Sequence, residues 1–363
     1  MNNFKFIASN FRTDGDFYSF TPYGSGHIHT TFLLTTQSGR NFNKYILQRF
    51  NARVFREPEK VLANTKMITA YLGERTKTGK RGMSYLSMVP AFDNNYWYRD
   101  EHDQYYRCFQ FIDNSITLDK VDTPQQAMEG AKAFGNFLVA LSGFEPCDLH
   151  ITIPDFHNIQ KRLNDLQDAA NSDDLSRRRH AGDEISKVGE MRGIASEYLA
   201  VHQILPVRVT HNDTKINNVL FDADTGKGLC VIDLDTVMPG TILSDFGDMV
   251  RTFTSLSAED ERDLSKVLFR PEIFNALAEG FLEETEGILS QAEKNNLILG
   301  GKLIIYMQAI RFLTDFLAGD VYYKTDYPDH NLVRARNQLK LLDSFLEHEK
   351  EATDILESLF MEL

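Results

Sequence analysis

The sequence predicts an α+β fold of two lobes, with a small antiparallel sheet and one main helix first and a larger, mostly helical part after it. Two observations predict this fold. Up to residue 112, short apolar strands alternate with turn residues around a single helical pattern. Beyond residue 112, helical periodicity dominates and is interrupted by one group of short strands near residues 205–232. Runs of strands followed by runs of helices are typical of α+β proteins.

The first lobe is assigned to residues 1–112. A strand runs into the glycine turn Gly24-Ser25-Gly26, and further strands are predicted at residues 30–36, 44–50, 84–90 and 105–112. Between these strands, apolar residues recur at i, i+3, i+4 and i+7 from Pro58 onward, which predicts one long helix. Proline at an early helical position suits this start because its missing amide hydrogen would have no partner there.

The second lobe is assigned to residues 113–363. Its helices are predicted at residues 123–143, 159–170, 189–203, 258–268, 271–286, 291–320 and 332–346. The chain is expected to cross between the lobes near residues 109–114, and a small ligand is expected in the cleft between them.

Composition excludes several classes of function. The 363 residues are 42% hydrophobic and 25% charged, which is ordinary for a soluble globular protein, and the net charge of −13 argues against a nucleic-acid partner. No apolar run long enough for a membrane span and no secretory signal are predicted. Three scattered cysteines are too few for a disulfide framework or a zinc site. We therefore expect a cytoplasmic monomer or weak homodimer that acts on a small molecule.

The most informative segment is residues 211–218, which has the layout H-x-D-x-x-x-x-N, and Asp233 follows fifteen residues after Asn218. Phosphoryl transfer requires an aspartate that accepts a hydroxyl proton and two oxygen ligands for magnesium. The apolar runs on either side of an Asp-x-Gly turn predict a hairpin that brings Asn218 and Asp233 to the same end. The pattern predicts Asp213 as the catalytic base, and Asn218 and Asp233 as Mg²⁺ ligands.

Four segments together carry a family resemblance: residues 24–31, 211–218, 232–236 and 245–248. They resemble the aminoglycoside phosphotransferase/choline kinase-like superfamily. Within it, the strings THNDTKINNVLFD, VIDLDTVMPG and IRFLTDFLAGDVYYK are most similar to the bacterial N-acetylhexosamine 1-kinases. The resemblance implies a bilobal protein-kinase-like fold, the use of ATP and Mg²⁺, and transfer to the anomeric C1 hydroxyl of an N-acetylhexosamine.

Other residues of the catalytic segments have alternative interpretations. Lys215 either stabilises charge on the transferred phosphate or is an exposed loop lysine. His211 is expected to organise the loop. Asp235 binds metal, touches substrate or caps a turn. The resemblance implies that Asp245 supports the catalytic loop from behind rather than binding metal.

The nucleotide is expected to meet the first lobe. Gly24, Ser25 and Gly26 form a phosphate-covering loop in this interpretation, because small residues let backbone amides approach phosphate oxygens. The lysine expected at the end of the third strand is replaced by Gln48 or Arg49, and charge complementarity favours Arg49, with Glu59 the best candidate for its helical partner. Backbone groups from Gln110 to Ile112 are expected at the adenine edge.

The acceptor is expected to meet the long helix near residue 311. Arg311 lies on a largely apolar stretch and needs a partner, for which Asp315, four residues on, is a structural candidate. The resemblance implies instead that Arg311 binds the sugar, with Tyr322 and Tyr323 as hydrogen-bonding or stacking groups. Two alternatives stay open for the whole chain. It acts on another acceptor, such as another hexose, a choline-like amino alcohol or an aminoglycoside, or it is a catalytically dead nucleotide-binding module.

Overall fold

A computed structural model describes residues 2–24, 28–76, 83–93, 95–171 and 175–362, with side chains from residue 4 onward. Ser25 and Gly26 of the predicted glycine loop lie outside the described residues. In chain order the elements are α1 (Asn2–Ala8), β1 (Asp16–Pro22), β2 (Thr30–Ser38), β3 (Asn41–Arg49), α2 (Pro58–Thr76), β4 (Tyr98–Arg99), β5 (Tyr105–Gln110), β6 (Ser115–Ile116), α3 (Pro124–Ala140), α4 (Ile159–Ala170), α5 (Leu175–His180), α6 (Gly182–Glu190), α7 (Gly193–Val201), β7 (Arg208–Thr210), β8 (Val219–Asp222), β9 (Gly228–Val231), β10 (Met238–Gly240), α8 (Ile242–Phe253), α9 (Pro271–Thr285), α10 (Gln291–Lys294), α11 (Leu297–Leu317), α12 (His330–Glu347) and α13 (Glu349–Glu362).

The chain divides into two compact units. The first unit is Met1–Ile116 together with Gly143–Ile153 and Leu220–Met238, and the second is Thr117–Ser142, Pro154–Val219 and Pro239–Leu363. The first segment of the first unit ends four residues beyond the predicted boundary at residue 112. The two later segments of that unit, which include the predicted metal ligand Asp233, have no counterpart in the sequence-based division.

An antiparallel sheet with strand order β1-β2-β3-β5-β4 forms most of the first unit. Residues alternate between its faces, as the period of a strand requires. Leu34, Tyr45, Leu47 and Cys108 face a core that is completed by Ile7 and Ala8 of α1. Because Gln48 pairs with Arg107 in the β3–β5 register, these two polar side chains lie together on the opposite face.

Helix α2 is fixed to the first unit at both its apolar and its polar residues. Val61 and Leu62 pack with Phe50, Phe55 and Tyr105. Asn64 is fully buried and its side-chain nitrogen donates to the carbonyls of His150 and Val237, at 2.8 and 3.1 Å. A buried amide with these partners is satisfied, so it links α2 to the segment that follows β9.

The second unit is mostly helical. Helix α3 begins at a capping box formed by Thr123 and Gln126 and packs along α9. Helix α11 packs against α4, α8 and α12. Helices α11 and α8 are in close contact where Gly300 of α11 faces Gly247 of α8. A Cβ at position 247 would collide with the carbonyl oxygen of Gly300, so glycine is required there. The catalytic-loop strand β7 pairs with β10, which lies mostly in this unit.

Helix α11 is long and apolar enough to cross a membrane by length and composition alone, which the sequence analysis did not anticipate. Most of its residues are buried within the second unit, so here it is a central core helix. The predicted fold class is confirmed. An antiparallel sheet with one main helix forms the N-terminal part, and the remainder is mostly helical.

Candidate active site

The predicted catalytic loop lies in the second unit and is anchored from behind by Asp245 of α8. The carboxylate of Asp245 accepts hydrogen bonds from the backbone amides of His211 and Asn212, at 2.8 and 2.7 Å. The Asp245 carbonyl accepts a third bond, from the hydroxyl of Thr214. Asp245 is fully buried, and burial raises its pKa to about 6 against the opposing effect of His211 and the two amides. These bonds fix the backbone just before and after Asp213, the predicted catalytic base.

Asn212 adopts a left-handed backbone conformation, with φ of 65°. Asparagine tolerates this region better than most residues, and such conformations cluster at functional sites. The side-chain oxygen of Asn212 accepts a hydrogen bond from the Thr210 hydroxyl, and its side-chain nitrogen donates to the Thr210 carbonyl. These two bonds stabilise the turn. His211 is buried against the edges of Phe134 and Phe137, and its Nδ1 accepts a bond from the amide of Asp213. This placement fits an organising role for His211.

Asp213 lies between a cation and an amide. Lys215 contacts one carboxylate oxygen at 2.9 Å, and the side-chain nitrogen of Asn218 donates to the other at 3.1 Å and to the Asp213 carbonyl at 2.8 Å. Burial raises the pKa of Asp213, but the charge and hydrogen bond of Lys215, together with the charges of His211 and Arg251, offset it and hold the pKa below its usual value. The pKa of Lys215 is raised in turn by Asp213. At neutral pH this carboxylate is ionised and accepts hydrogen bonds.

Asn218 has its amide nitrogen directed at Asp213, so its carbonyl oxygen points elsewhere. A hard oxygen of this kind suits Mg²⁺. Asn218 directly precedes β8, and Asp233 follows β9 by two residues, so the predicted hairpin is present. The structure therefore groups Asp213, Lys215 and Asn218 in the second unit, while Asp233 belongs to the first.

The predicted acceptor residues are ordered by Asp315 rather than by an ion pair. Asp315 is buried and accepts hydrogen bonds from the backbone amides of Val321, Tyr322 and Tyr323, at 3.0, 2.8 and 2.9 Å. Arg311 instead bonds to Gln308 at 3.0 Å. Its guanidinium lies 6.0 and 5.5 Å from the ring centroids of Tyr322 and Tyr323. The structural alternative of an Arg311–Asp315 pair is therefore not what the structure contains.

In the first unit, Asp233 is followed by a buried charge network. Asp233 itself adopts a left-handed backbone conformation, with φ of 59°. Asp235 accepts hydrogen bonds from the guanidinium of Arg107 through both carboxylate oxygens and from the ring nitrogen Nε2 of His29. Burial raises the pKa of Asp235, but Arg107 and His29 lower it well below the usual range. With its oxygens so occupied, Asp235 acts as a structural anchor for the segment that includes Asp233.

Asp233, Asp235 and His29 also place one ligand atom each within 4.8 Å of one another. Both Asp235 oxygens and Nε2 of His29 are already engaged in the network described above. Asp233 contributes a carboxylate oxygen to this grouping, a ligand of the type that Mg²⁺ prefers.

The predicted nucleotide-binding residues lie along the first unit. Gly24 follows β1 with φ of 75°, Gln110 ends β5, and the Ile112 carbonyl accepts a bond from Ser115. Arg49 has an exposed side chain that bonds to Thr30. Gln48 is the residue on the interior polar face, where its oxygen accepts a bond from Arg107 at 2.8 Å. Glu59 accepts a bond from Tyr105. Phosphate anchoring by Arg49 stays a prediction.

Sequence reasoning missed Arg107, His29 and His157. Arg107 is an arginine in the middle of an otherwise apolar and aromatic strand, and a charge there requires a buried partner, so a signal was present. His157 lies in a loop before α4 and has no motif around it. The sequence gives no signal for His157, and only the folded structure shows which residues lie near it.

The sheet-and-helix architecture and the buried catalytic loop together define a protein-kinase-like phosphotransferase fold. Residues 19–270 match the phosphotransferase enzyme family abbreviated APH, and the chain belongs to this family. The superfamily predicted from the motifs is thus confirmed.

Solved structures of the same fold are similar along nearly the whole chain. The microcompartment-associated aminopropanol kinase is 16% identical, covers 95% of this chain and 97% of its own, with a TM-score of 0.62. An aminoglycoside phosphotransferase from Alicyclobacillus acidocaldarius is 15% identical, covers 99% and 95%, with a TM-score of 0.56. Choline kinase from Cryptosporidium parvum is 14% identical, covers 94% and 93%, with a TM-score of 0.53. At these identities the likeness shows the fold.

Proposed function

We propose that this protein is an ATP- and Mg²⁺-dependent kinase that phosphorylates the anomeric C1 hydroxyl of an N-acetylhexosamine, such as N-acetylglucosamine or N-acetylgalactosamine. The product is the sugar 1-phosphate. In this proposal the protein acts in the cytoplasm on a free small molecule. Phosphotransferase chemistry follows from the family, and the acceptor rests on the similarity of three sequence strings to the N-acetylhexosamine 1-kinases.

The observation that carries the proposal is the Asp213 cluster. The Asp213 carboxylate is ionised at neutral pH and is held by Lys215 and Asn218 on a loop anchored by Asp245, so it can accept a hydrogen bond that orients a hydroxyl group. Asp213 and Lys215 keep 25% and 42% of their side-chain surface exposed, so a ligand can reach them. A partly exposed, ionised carboxylate in this setting favours a working enzyme over a dead module.

The chemical step is an in-line transfer. The C1 hydroxyl donates a hydrogen bond to Asp213, and its oxygen forms a bond to the terminal phosphorus as the bond from that phosphorus to the bridging oxygen breaks. The proton passes to Asp213 and ADP leaves. Lys215, paired with Asp213, holds the carboxylate in position and adds a positive charge near the developing negative charge.

The donor set fits a magnesium ion. Asn218 presents a carbonyl oxygen and Asp233 a carboxylate, both hard ligands of the type that Mg²⁺ prefers. When bound, the ion neutralises charge on the phosphates. The use of a nucleotide is supported by a solved structure of the same fold, a spectinomycin phosphotransferase in complex with ADP, which is 11% identical, covers 95% of this chain and 94% of its own, and has a TM-score of 0.53.

Nucleotide anchoring in the proposal uses Gly24, Ser25, Gly26, Arg49, Gln110 and Ile112. Arg49 and Gln48 lie on opposite faces of β3, so the matched variants Arg49→Ala and Gln48→Ala separate their roles. If Arg49 anchors phosphate, only its loss raises the KM for ATP. If only Gln48→Ala raises the KM for ATP, the phosphate-anchoring residue is Gln48, on the interior face of β3, and not Arg49.

The test is an ADP-release assay of the purified full chain with Mg·ATP and a panel of acceptors: N-acetylglucosamine, N-acetylgalactosamine, glucose, choline and an aminoglycoside. We expect turnover with the N-acetylhexosamines and a phosphorus coupled to the anomeric proton in the NMR spectrum of the product. Turnover with choline or the aminoglycoside alone would reject the proposed acceptor. A rise in melting temperature with Mg·ATP but no turnover with any acceptor would support the dead module.

A further inference from the structure

His157 lies in the second unit beside the residues proposed to bind the acceptor. Its ring packs edge-on against Phe156, with centroids 4.5 Å apart, and the guanidinium of Arg311 lies 5.0 Å from the ring of the same Phe156. Arg311 and Asp213 both influence the pKa of His157, so the ring is within electrostatic reach of the catalytic carboxylate and of the proposed sugar-binding arginine.

Both ring nitrogens of His157 are shielded from solvent, and neither makes a hydrogen bond of ordinary geometry among the described residues, although the Asn212 backbone lies close enough to act on the ring as a weak acceptor. A buried polar group without a partner is costly, and most such groups in proteins are satisfied by protein, water or ligand. Burial and the nearby Arg311 lower the pKa of His157 to about 3, while the Asn212 backbone and Asp213 oppose that shift. The imidazole is therefore neutral and offers one donor and one acceptor.

Besides burial, two guanidinium groups, those of Arg311 and Arg162, lower the pKa of this ring, and the Asp213 carboxylate acts on it in the opposite direction. Burial lowers the pKa of Arg162, and the nearby charge of Arg311 lowers it further. Arg162 bonds to the carbonyls of Asp155 and Phe156, at 2.9 and 3.2 Å, and so fixes the loop on which His157 lies. Of the carboxylates that face these groups, Asp213 is compensated by Lys215, and Asp165 lies 3.8 Å from Arg162.

Aromatic rings form the rest of this wall. Tyr323 is half-buried, contacts Phe312 with ring centroids 4.7 Å apart, and accepts a bond from Gln308. Tyr322 is 62% exposed and meets Tyr323 edge-on. One aromatic face is therefore available to a ligand next to Arg311 and His157, and flat apolar faces of this kind suit the C–H faces of a sugar ring.

We propose that His157 is a further acceptor-binding residue, which bonds through a ring nitrogen to an uncharged polar group of the acceptor, and that the wall it forms with Arg311 rejects acceptors that carry an ammonium group. This inference rests on the proposed function and narrows its substrate class. An ammonium beside Arg311 meets a like charge in a partly dry site, whereas a hydroxyl or an acyl oxygen accepts its hydrogen bonds. The neutral imidazole gains a hydrogen-bond partner for a buried nitrogen in the same event.

The first experiment replaces the ring. His157→Phe keeps the volume and removes both nitrogens, His157→Gln restores a donor and an acceptor, and the exposed His102→Phe is the matched control. We expect His157→Phe to lower kcat/KM for the N-acetylhexosamine about tenfold or more. We expect His157→Gln to recover part of that loss, with the KM for ATP and the melting temperature near those of the control. Unchanged acceptor kinetics in a folded His157→Phe would overturn the assignment.

The second experiment tests charge rejection with an isosteric pair. Glucose and glucosamine differ at one position by a hydroxyl against an ammonium, and at about pH 6.5 the amine is protonated. As substrates or as competitive inhibitors, glucose is expected to bind at least tenfold better than glucosamine, and Arg311→Gln is expected to reduce that ratio. Equal binding of the two sugars by the wild type would overturn the inference.

The outcomes distinguish this inference from the proposed function. Turnover of N-acetylhexosamines with normal kinetics in His157→Phe rejects the role of His157 and leaves the proposed function in place. If the enzyme phosphorylates another neutral sugar instead of an N-acetylhexosamine, and His157→Phe lowers kcat/KM for that sugar, the proposed acceptor is rejected. The acceptor-binding role of His157 and Arg311 is then kept. Turnover of choline or an aminoglycoside alone rejects both.

Discussion

Two carboxylate–cation pairs in this protein are built from the same chemical groups and behave differently. Asp213 and Lys215 of the second unit keep 25% and 42% of their side-chain surface exposed. Asp235 and Arg107 of the first unit keep 2% each, and Asp235 is also bonded to His29. In both pairs the cation holds the pKa of the carboxylate below its usual value against the effect of burial.

The difference between the pairs lies in what else each carboxylate has to do. Both Asp235 oxygens are occupied by Arg107 and His29, and the Arg107 guanidinium is bonded on its remaining side to Gln48. A pair that is saturated and dry stabilises or orders the fold, and its disruption strands a buried charge. Asp213 is reachable by solvent and paired to a single lysine, so it is able to exchange a proton with a ligand. A sequence motif predicts where carboxylates lie along the chain. The burial and hydrogen bonding of each carboxylate then determine whether it is accessible to a ligand.

The largest effect is expected from removing the reactive member of the exposed pair. Asp213→Asn keeps the shape and removes the proton acceptor, so we expect kcat to fall on the order of 10³-fold or more. The affinity for Mg·ATP is expected to change less than about threefold, because Asp213 is proposed to contact the acceptor. Single-turnover kinetics and calorimetric nucleotide titration measure the two quantities. Near-normal turnover in Asp213→Asn, with Asp354→Asn on exposed α13 as control, would remove the assignment.

The saturated pair is expected to affect stability instead. Arg107→Met leaves Asp235 buried without its main cation, so the free energy of unfolding is expected to fall by about 3–5 kcal/mol. The double variant Arg107→Met/Asp235→Leu removes both charges and is expected to recover much of that loss. Urea denaturation followed by circular dichroism checks both values. The exposed pair Lys161–Asp165 supplies the control, since Lys161→Met is expected to change stability by less than about 1 kcal/mol. A loss no larger than the control's would contradict a structural role for Arg107.

The comparison also explains which parts of the molecule the sequence predicted. The predicted strands at residues 30–36, 44–50 and 105–112 and the helix from Pro58 to Thr76 follow local periodicity, and each is present within a few residues of its predicted bounds. The strand predicted at residues 84–90 is wrong, because only Met88 pairs there, in an isolated bridge with Phe109. The helix predicted at residues 258–268 is also wrong, because only the short 3₁₀ turn Leu264–Lys266 forms there. The compact units do not follow the chain order. Residues 143–153 and 220–238 join the first unit through contacts such as those of Asn64 with His150 and Val237, which no local pattern encodes.

Site residues differ in the same way. Asp213, Asn218 and Asp233 are predicted because a motif fixes their spacing, and Asp245 because the resemblance marks its position. Asp235 was left with three alternative roles, since the partner that decides its role, Arg107, is 128 residues away. Arg311 and Asp315 have helical i, i+4 spacing that predicts a pair, yet three backbone amides of the following loop bind Asp315 instead. Residue spacing along the chain does not show whether a carboxylate will bond instead to a distant side chain or to a backbone amide.

Asp245 extends the comparison to a buried carboxylate with no cation among its hydrogen-bond partners. Burial raises its pKa from 3.8 to about 6, so in this range the folded protein keeps a proton that the unfolded chain releases. Stability therefore falls as pH rises from about 4 to about 6, by about 3 kcal/mol for this group, and then levels off. Urea unfolding of the wild type and of Asp245→Asn at several pH values isolates the effect as a difference. A difference that does not change with pH, or changes in the opposite direction, would show that Asp245 is ionised throughout.

The smallest expected effect separates the two functions of the lysine in the exposed pair. Lys215→Met removes the charge that offsets burial at Asp213, so the pKa of Asp213 rises and the acidic limb of the kcat profile moves to higher pH. At the pH optimum kcat is expected to fall about tenfold, because a positive charge near the transferred phosphate is also lost. Lys215→Arg restores the charge and is expected to return the limb toward its original position. If Lys215 were only an exposed loop residue, Lys215→Met would leave both the limb and the optimum rate unchanged.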